Sequence, residues 1–340
     1  MTDQREHVFL VDGSGFIFRA YHALPPMTAP DGTPTNAVFG FTKMLMKLVE
    51  DTEADFVAVI FDRARKTFRN DIYPEYKAHR PPAPDDLIPQ FELVRKATEA
   101  LNVPAIDMDG FEADDLIATY ARQARERGAE VTIVSSDKDL MQLVDDSVVL
   151  FDAMKNREIG PEQVMEKFGV APDKVIDVQA LAGDSSDNVP GVAGIGVKTA
   201  AQLIGEYGDL DTLLARAEEI KQPKRRQSLM EQADMARISR DLVTLRDDVP
   251  TTRTIDEMRK KAPDAETLLT FLRDLGFKSL ATTVESRLGM PANGGNGAAT
   301  QSSAVLAPQY DLVQTLDQLQ PWIKAAYATG VVAVDTETDA

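Results

Sequence analysis

The sequence predicts an α/β protein, a parallel sheet with helices on both faces, followed by a mostly helical part. Three observations predict it. Hydrophobic strand-like runs alternate with helix-period patterns from His7 to Phe151, as in a parallel sheet. From residue 161 to about 285 only helical patterns remain. Most of the acidic residues of interest fall just after strand C-terminal ends, where open α/β sheets place their ligands.

Taken in order, His7–Val11 reads as a buried strand that ends in Asp12-Gly13-Ser14-Gly15. A helix follows at Ala37–Glu50, where Val38, Phe41, Leu45 and Leu48 recur at helical spacing. Asp55–Phe61 is a second strand, again ending in a carboxylate, Asp62. Residues 63–90 are basic and proline-rich. A helix over 88–101 leads to a short strand, Val103–Ile106. Phe111-Glu-Ala-Asp-Asp-Leu116 opens a helix that Gly128 stops after Arg127. Glu130–Ser135 is a strand ending near Asp137, Leu140–Leu143 a short helix, and Val148–Phe151 another strand.

These patterns divide the chain into an α/β core over 1–160 and a helical part over 161–288. Residues 289–307, rich in Gly, Ala, Asn and Ser, read as a flexible linker. In 308–340 a helix at Leu316–Tyr327, split or started by Pro321, precedes a strand Val331–Val334 that runs into Asp335-Thr-Glu337. So short a piece cannot hold its own core, so the expectation is the truncated start of a further domain in an N-terminal fragment.

Composition narrows the function classes. The 340 residues are 43% hydrophobic and 27% charged, ordinary for a soluble globular protein of two or three domains. No apolar run approaches the roughly 18 residues of a membrane span, and the N-terminus lacks a signal peptide's pattern. A cytoplasmic protein without a membrane partner is expected. Cysteine is absent, which excludes disulfides and thiolate metal sites. The three histidines (His7, His22, His79) are scattered, which argues against zinc and leaves oxygen-ligand metals such as Mg²⁺ or Mn²⁺. The net charge of −18, taken alone, argues against a nucleic-acid partner. Site carboxylates are neutralised by their metals, however, so the local clustering of positive charge decides.

Nine carboxylates lie near strand ends or turns: Asp12, Asp62, Glu112, Asp114, Asp115, Asp137, Asp139, Asp184 and Asp187. Packed carboxylates repel one another unless cations sit between them, so the layout predicts a site for hard divalent metals handling phosphates. A strand-terminal Asp is otherwise a helix cap or turn former, and first-turn acids complement a helix dipole. On a regular helix Glu112 and Asp115 share a face while Asp114 points away, so all three, next to apolar Phe111 and Leu116, are better explained by a strand-to-helix junction that splays them around a metal, with Asp114 the weakest ligand candidate. Asp184 and Asp187, in Gly-Asp-Ser-Ser-Asp-Asn, lack the spacing of an EF-hand loop and alone would be an acidic turn.

Gly191-Val-Ala-Gly-Ile-Gly-Val-Lys-Thr199 is neither a P-loop nor a dinucleotide fingerprint, because Val197 intervenes and no strand precedes it. A glycine-rich hairpin between helices can grip a phosphate by its backbone N–H groups, with Gly191, Gly194, Gly196, Lys198 and Thr199 as candidates; otherwise it is a helix–helix turn. Arg63, Arg65, Lys66, Arg69, Lys77 and Arg80 crowd one stretch with Phe68, Tyr73 and Tyr76 interleaved. That is a positive patch with stacking groups, or else a solvated face.

VDGSGFIFRAYHALP, VIFDRARKTFRNDIYPEYKAHRPPAPDDL, GFEADDLIATYA, SSDKDLMQLV and LAGDSSDNVPGVAGIGVKTAAQLI together resemble the 5′-nuclease domain of bacterial DNA polymerase I, in the flap endonuclease superfamily. The resemblance covers about residues 5–285. It implies a nuclease core of the PIN-like or resolvase-like kind, with a helix–hairpin–helix DNA-binding element over 183–204. It implies that 63–90 forms a helical arch for a single-stranded 5′ end. By motif position Asp12, Asp62, Glu112, Asp114 and Asp115 would serve one Mg²⁺ or Mn²⁺, and Asp137, Asp139, Asp184 and Asp187 a second. Lys77 and Arg80, with Asp62 and Asp115, would be catalytic. Arg63, Arg65, Lys66, Arg69 and Tyr76 would contact DNA, and the hairpin loop would bind K⁺ through carbonyls. The implied task is two-metal hydrolysis of 5′ flaps, nicked DNA and RNA primers by a monomer, in replication and repair. VVAVDTETDA resembles the first motif of the 3′–5′ exonuclease domain of the same polymerases, with Asp335 and Glu337 as an incomplete metal pair. No 3′–5′ exonuclease or polymerase activity is expected of these residues alone.

Two other readings are a related single-strand ribonuclease, which would lack the hairpin and the arch, and a non-catalytic DNA-junction binder. The full set of acidic positions argues against the latter.

Overall fold

The protein is described by a computed structural model over residues 5–287 and 315–329. Strand β1 (His7–Asp12) runs into α1 (Gly13–Ala23), then α2 (Asn36–Asp51), β2 (Phe56–Ile60), α3 (Phe68–Ile72), α4 (Ile88–Ala100), β3 (Ala105–Ile106) and α5 (Ala113–Glu126). After β4 (Glu130–Val134), β5 (Val148–Asp152) and β6 (Arg157–Ile159) come α6 (Pro161–Phe168), α7 (Val175–Ala182), α8 (Val197–Tyr207), α9 (Leu210–Ala215) and α10 (Pro223–Glu231). The remaining helices are α11 (Ala233–Val243), α12 (Ala265–Asp274), α13 (Lys278–Arg287) and α14 (Leu316–Thr329).

The sheet order is β3-β2-β1-β4-β5-β6. All neighbours pair in parallel except β6, which pairs antiparallel with β5. β1 is central, with Val11 opposite Val59 of β2 and Leu10 opposite Ile133 of β4. Strands covered on both faces read as continuous apolar runs, and VFLV and FVAVI do. Alternate β1 residues point to opposite sides. Val8 and Leu10 enter a core with α5 and the helices from α6 to α10, while Phe9 and Val11 enter one with α1, α2, α4, α12 and α13. The parallel α/β sheet expected from the alternation is therefore present. Helices α12 and α13 return to the sheet rather than extending the helical part.

Two elements lay outside the sequence reading. Helix α1 follows Asp12 directly because the Asp12 carboxylate accepts from the backbone N–H of Ser14 and Gly15 at 3.1 and 3.3 Å. Gly13 allows the tight exit, since a Cβ there would lie 2.4 Å from the Phe61 ring. The antiparallel β6 is only three residues long. The basic stretch expected as an arch holds one short helix, α3, and otherwise turns until α4. Helix α14, with Pro321 inside it, stands by itself among the described residues after 287. The linker 289–307, Asp335 and Glu337 lie outside the described residues.

Candidate metal centre

The strand order reverses direction at β1, between β2 on one side and β4 on the other. Crevices at such points form outside the C-terminal strand ends. Asp12, Asp62 and Asp137 stand there, one following each of these strands. Asp12 is 8% exposed, and its second oxygen accepts from Ser135 Oγ at 2.9 Å. Asp62 accepts from Ser14 Oγ at 2.7 Å and from the N–H of Ala113 at 2.9 Å. Asp137 accepts from the N–H of Asp139 at 2.9 Å. Local hydrogen bonds thus fix one oxygen of Asp137 and orient the other two acids across strands.

The acidic trio is splayed at the start of α5 rather than set on one helical face. Glu112 is not on the helix but caps it, with extended backbone, and Asp115 reciprocates as the other half of a capping box. Asp115 is fully buried and accepts four hydrogen bonds. Two come from Arg69 at 2.7 and 2.8 Å, one from Glu112 N at 3.0 Å and one from Arg246 N at 2.9 Å. A carboxylate has about four acceptor sites, so Asp115 has none left for a metal. Its place in the ligand set is corrected to that of an anchor for Arg69. Asp114, the residue expected to point away, instead faces the other acids. Burial, then repulsion from Asp137, Asp12, Asp62 and Glu112, pushes its carboxyl well above the usual range.

A second group lies beside the first. Oxygens of Asp139, Asp184 and Asp187 fall within 4.8 Å of one another. They come from the turn after β4 and from the loop after α7. That loop is pinned where Gly183 and Gly191 cross at close range: a Cβ on Gly191 would lie 2.4 Å from Gly183 N. Asp184 accepts from Lys138 Nζ at 2.6 Å and from Ser186, and although burial opposes ionisation, these bonds hold its carboxyl below the usual range. Burial, then the charge of Asp137, pushes Asp139 up to about 6. Burial, then Asp62, does the same to Asp12, also to about 6. Asp137 therefore presses on members of both groups.

Two basic residues close the site. Lys77 Nζ donates to Glu112 at 2.9 Å and lies 3.4 Å from Asp187, while Arg80 pairs with Asp187. Burial opposes the Lys77 charge, yet Glu112 and its other partners hold the ammonium above its ordinary range. Lys77 sits at φ 55°, a left-handed conformation held by its own N–H on Asp187 O at 2.9 Å.

Of the expected DNA contacts, Arg69 and Tyr76 turn inward. Arg69 is 1% exposed and also donates to Leu242 O at 2.7 Å and Thr244 O at 3.3 Å. Tyr76 is buried, with its hydroxyl on Glu112 and Asp187. Gly191 is buried too, and its N–H is taken by Ser239 Oγ. These three are corrected to framework positions. Arg63 is paired with Asp107 and Asp109, Arg65 donates to Arg80 O at 2.6 Å, and Lys66 is exposed. Gly194, Gly196 and Lys198 are exposed around the start of α8, with Thr199 half-buried.

Asp12, Asp137, Asp139, Asp184 and Asp187 line a cleft of about 350 Å³ whose walls also include Arg19, Lys138 and Lys167. Sequence reasoning missed all three. Arg19 belongs to the unrecognised α1, about two turns beyond the Asp12 cap, and Lys167 comes from the far wall on α6. Only Lys138, between two candidate ligands, carried a local signal.

A family model described as "5'-3' exonuclease, N-terminal resolvase-like domain" matches residues 7–169, and one described as "5'-3' exonuclease, C-terminal SAM fold" matches 170–266. A 5'-3' exonuclease of Aquifex aeolicus is 36% identical over 280 residues, covering 82% of this chain and 95% of that protein. The chain belongs to the 5′-3′ exonuclease family.

A DNA polymerase I of Rhizobium leguminosarum is 57% identical over 287 residues, covering 82% of this chain but 28% of that protein. The chain thus spans under a third of this relative and matches its N-terminal part. Among solved structures, T5 5′-exonuclease with bound zinc superposes with a TM-score of 0.61 at 23% identity, covering 84% of this chain and 99% of that one. The catalytic core of Rad2 with a DNA substrate gives 0.56 at 15% identity, covering 84% and 92%. Both likenesses establish the fold: a resolvase-like sheet domain followed by SAM-like helices.

Proposed function

We propose that this 5′-3′ exonuclease chain works as a divalent-metal-dependent nuclease on the 5′ ends of branched or nicked DNA, including flaps and RNA primers. The observation that carries it is the crowding of Asp12, Asp114 and Asp139, whose proton affinity is raised by burial and then by their acidic neighbours. Hard oxygen donors in that arrangement fit Mg²⁺ or Mn²⁺. Asp12, Asp62, Asp114 and Asp137 would hold one ion, with Glu112 at its edge. Asp139, Asp184 and Asp187 would hold the second, close to Asp137. Bound there, the ions would supply an activated water and neutralise charge on the scissile phosphate.

The chain's own groups do the rest. Lys77 and Arg80, already charged and held against Glu112 and Asp187, are placed to turn toward a phosphate oxygen as negative charge grows on it. Arg63, Arg65 and Lys66 offer backbone contacts to a single strand passing the 63–90 segment. Gly194, Gly196, Lys198 and Thr199 offer N–H groups and charge to a duplex phosphate, and K⁺ would bind carbonyls of that loop. A monomer acting in the cytoplasm suffices for these roles; no described helix is long and apolar enough to cross a membrane. In relatives that carry a polymerase, the same site would clear primers and flaps ahead of synthesis.

A 5′-flap duplex incubated with and without Mg²⁺ tests this. Cleavage near the junction that needs the metal, and is lost in Asp62→Asn while binding remains, is the expected result. Binding without cleavage under any divalent metal refutes it and favours a junction-binding module.

A further inference from the structure

We propose that Gln179 is a positioning residue that sets the affinity of the second cation position; the inference rests on the two-ion reading above. Gln179 lies on α7, 3% exposed and 40 positions from Asp139 in sequence. Its Nε2 donates to Asp139 Oδ1 at 2.5 Å. Asp139 shares a 4.8 Å cluster with Asp184 and Asp187, so fixing one of its oxygens leaves the other to be presented to an ion. The remaining Asp139 contacts are on its backbone: its N–H goes to Asp137 and its C=O accepts from Gln142. Gln179 is thus the one hydrogen-bond partner of the Asp139 carboxylate among the described residues.

A second observation points the same way. Gln179 Oε1 is buried and has no hydrogen-bond partner among the described residues. A buried amide acceptor without a partner is destabilising, so its retention calls for a partner that arrives. A water held by an ion beside Asp139 has hydrogens to donate and would be that partner. The amide would then serve both sides of the site, donating to the ligand carboxylate and accepting from the ion's water. Unlike a lysine, it does so without a charge that competes with the cation. Hydrogen-bonding partners of ligand carboxylates typically change metal affinity by about 10–100-fold when removed.

The test is Mn²⁺ titration, by calorimetry and by electron paramagnetic resonance, of the whole chain without DNA. Gln179→Met keeps the length and removes both polar atoms; Gln179→Leu removes them with a shorter apolar side chain. Melting temperature without metal is recorded for each, so that a folding defect is visible and the other variant decides. The expected result is that one class of Mn²⁺ site weakens about 10-fold or more in both variants, while the other class stays within about 2-fold. Both classes unchanged in either folded variant overturns the inference, as does equal loss at both classes. If the wild-type chain binds no Mn²⁺, the two-ion reading itself fails; if it binds and the variants match it, only the role of Gln179 does.

Discussion

Arg69→Met tests how the site's floor is held. Arg69 reaches from α3 to Asp115 on α5 and to the carbonyls of Leu242 and Thr244 at the end of α11. Both partners of the ion pair are essentially without solvent exposure. Removing one partner of a buried pair leaves an uncompensated charge and costs about 3–5 kcal/mol. Asp115 would keep its bonds from Glu112 N and Arg246 N, which favours the lower end of that range. At about 2–4 °C per kcal/mol, the melting temperature should fall by roughly 10 °C. Arg69→Lys keeps the charge but not the fork, and should lose about half as much. Urea denaturation at pH 7.5 in EDTA measures both. Because Arg69 faces inward, DNA affinity of the folded variant should change little. A stability loss below about 1 kcal/mol, or a large loss of DNA binding in a stable variant, would refute the buried-anchor assignment.

Other outcomes follow from the same geometry. Asp12 and Asp139 are pushed up to about 6, so the native state holds protons that the unfolded chain has released above about pH 4. Metal-free stability should therefore fall as pH rises from about 4 to 6, by up to roughly 3 kcal/mol per group, whereas a rise over that window would contradict the crowding. Adding Mg²⁺ should raise the melting temperature above pH 6 and have little effect below pH 5, as thermal scans at both values would show. Gly191→Ala should cost about 2–4 kcal/mol, because φ is +62° and the new methyl meets Gly183 backbone; an unchanged urea midpoint would count against that crossing. Lys198→Ala should weaken duplex binding evenly across sequences and lower the salt slope by about one, read from binding isotherms at several salt concentrations.

The sheet was legible because β1, β2, β4 and β5 carry continuous apolar runs, and the strand-end position of Asp12, Asp62 and Asp137 followed from it. What escaped was set by caps and tertiary pairing. Glycines at 13 and 15 mask α1, yet Asp12 caps it, and the apolar Phe16, Ile17 and Ala20 supply its buried face. A junction that splays Glu112, Asp114 and Asp115 was legible, but not that Asp115 is spent on Arg69, 46 positions away, which leaves Asp114 toward the other acids. Arg69, Tyr76 and Gly191 looked like surface groups because their partners lie 46, 36 and 48 positions away in sequence. Gln179 gave no signal, since an amide within an apolar helix is unremarkable until Asp139 is seen beside it.

Anomalous scattering from crystals soaked in Mn²⁺ tests the metal centre most directly. The expected result is one peak among Asp139, Asp184 and Asp187 and another at Asp12, Asp62, Asp114 and Asp137, with Asp115 still bound to Arg69. Peaks elsewhere, no peak at either group, or an ion coordinated by Asp115 in place of Asp114 would contradict it.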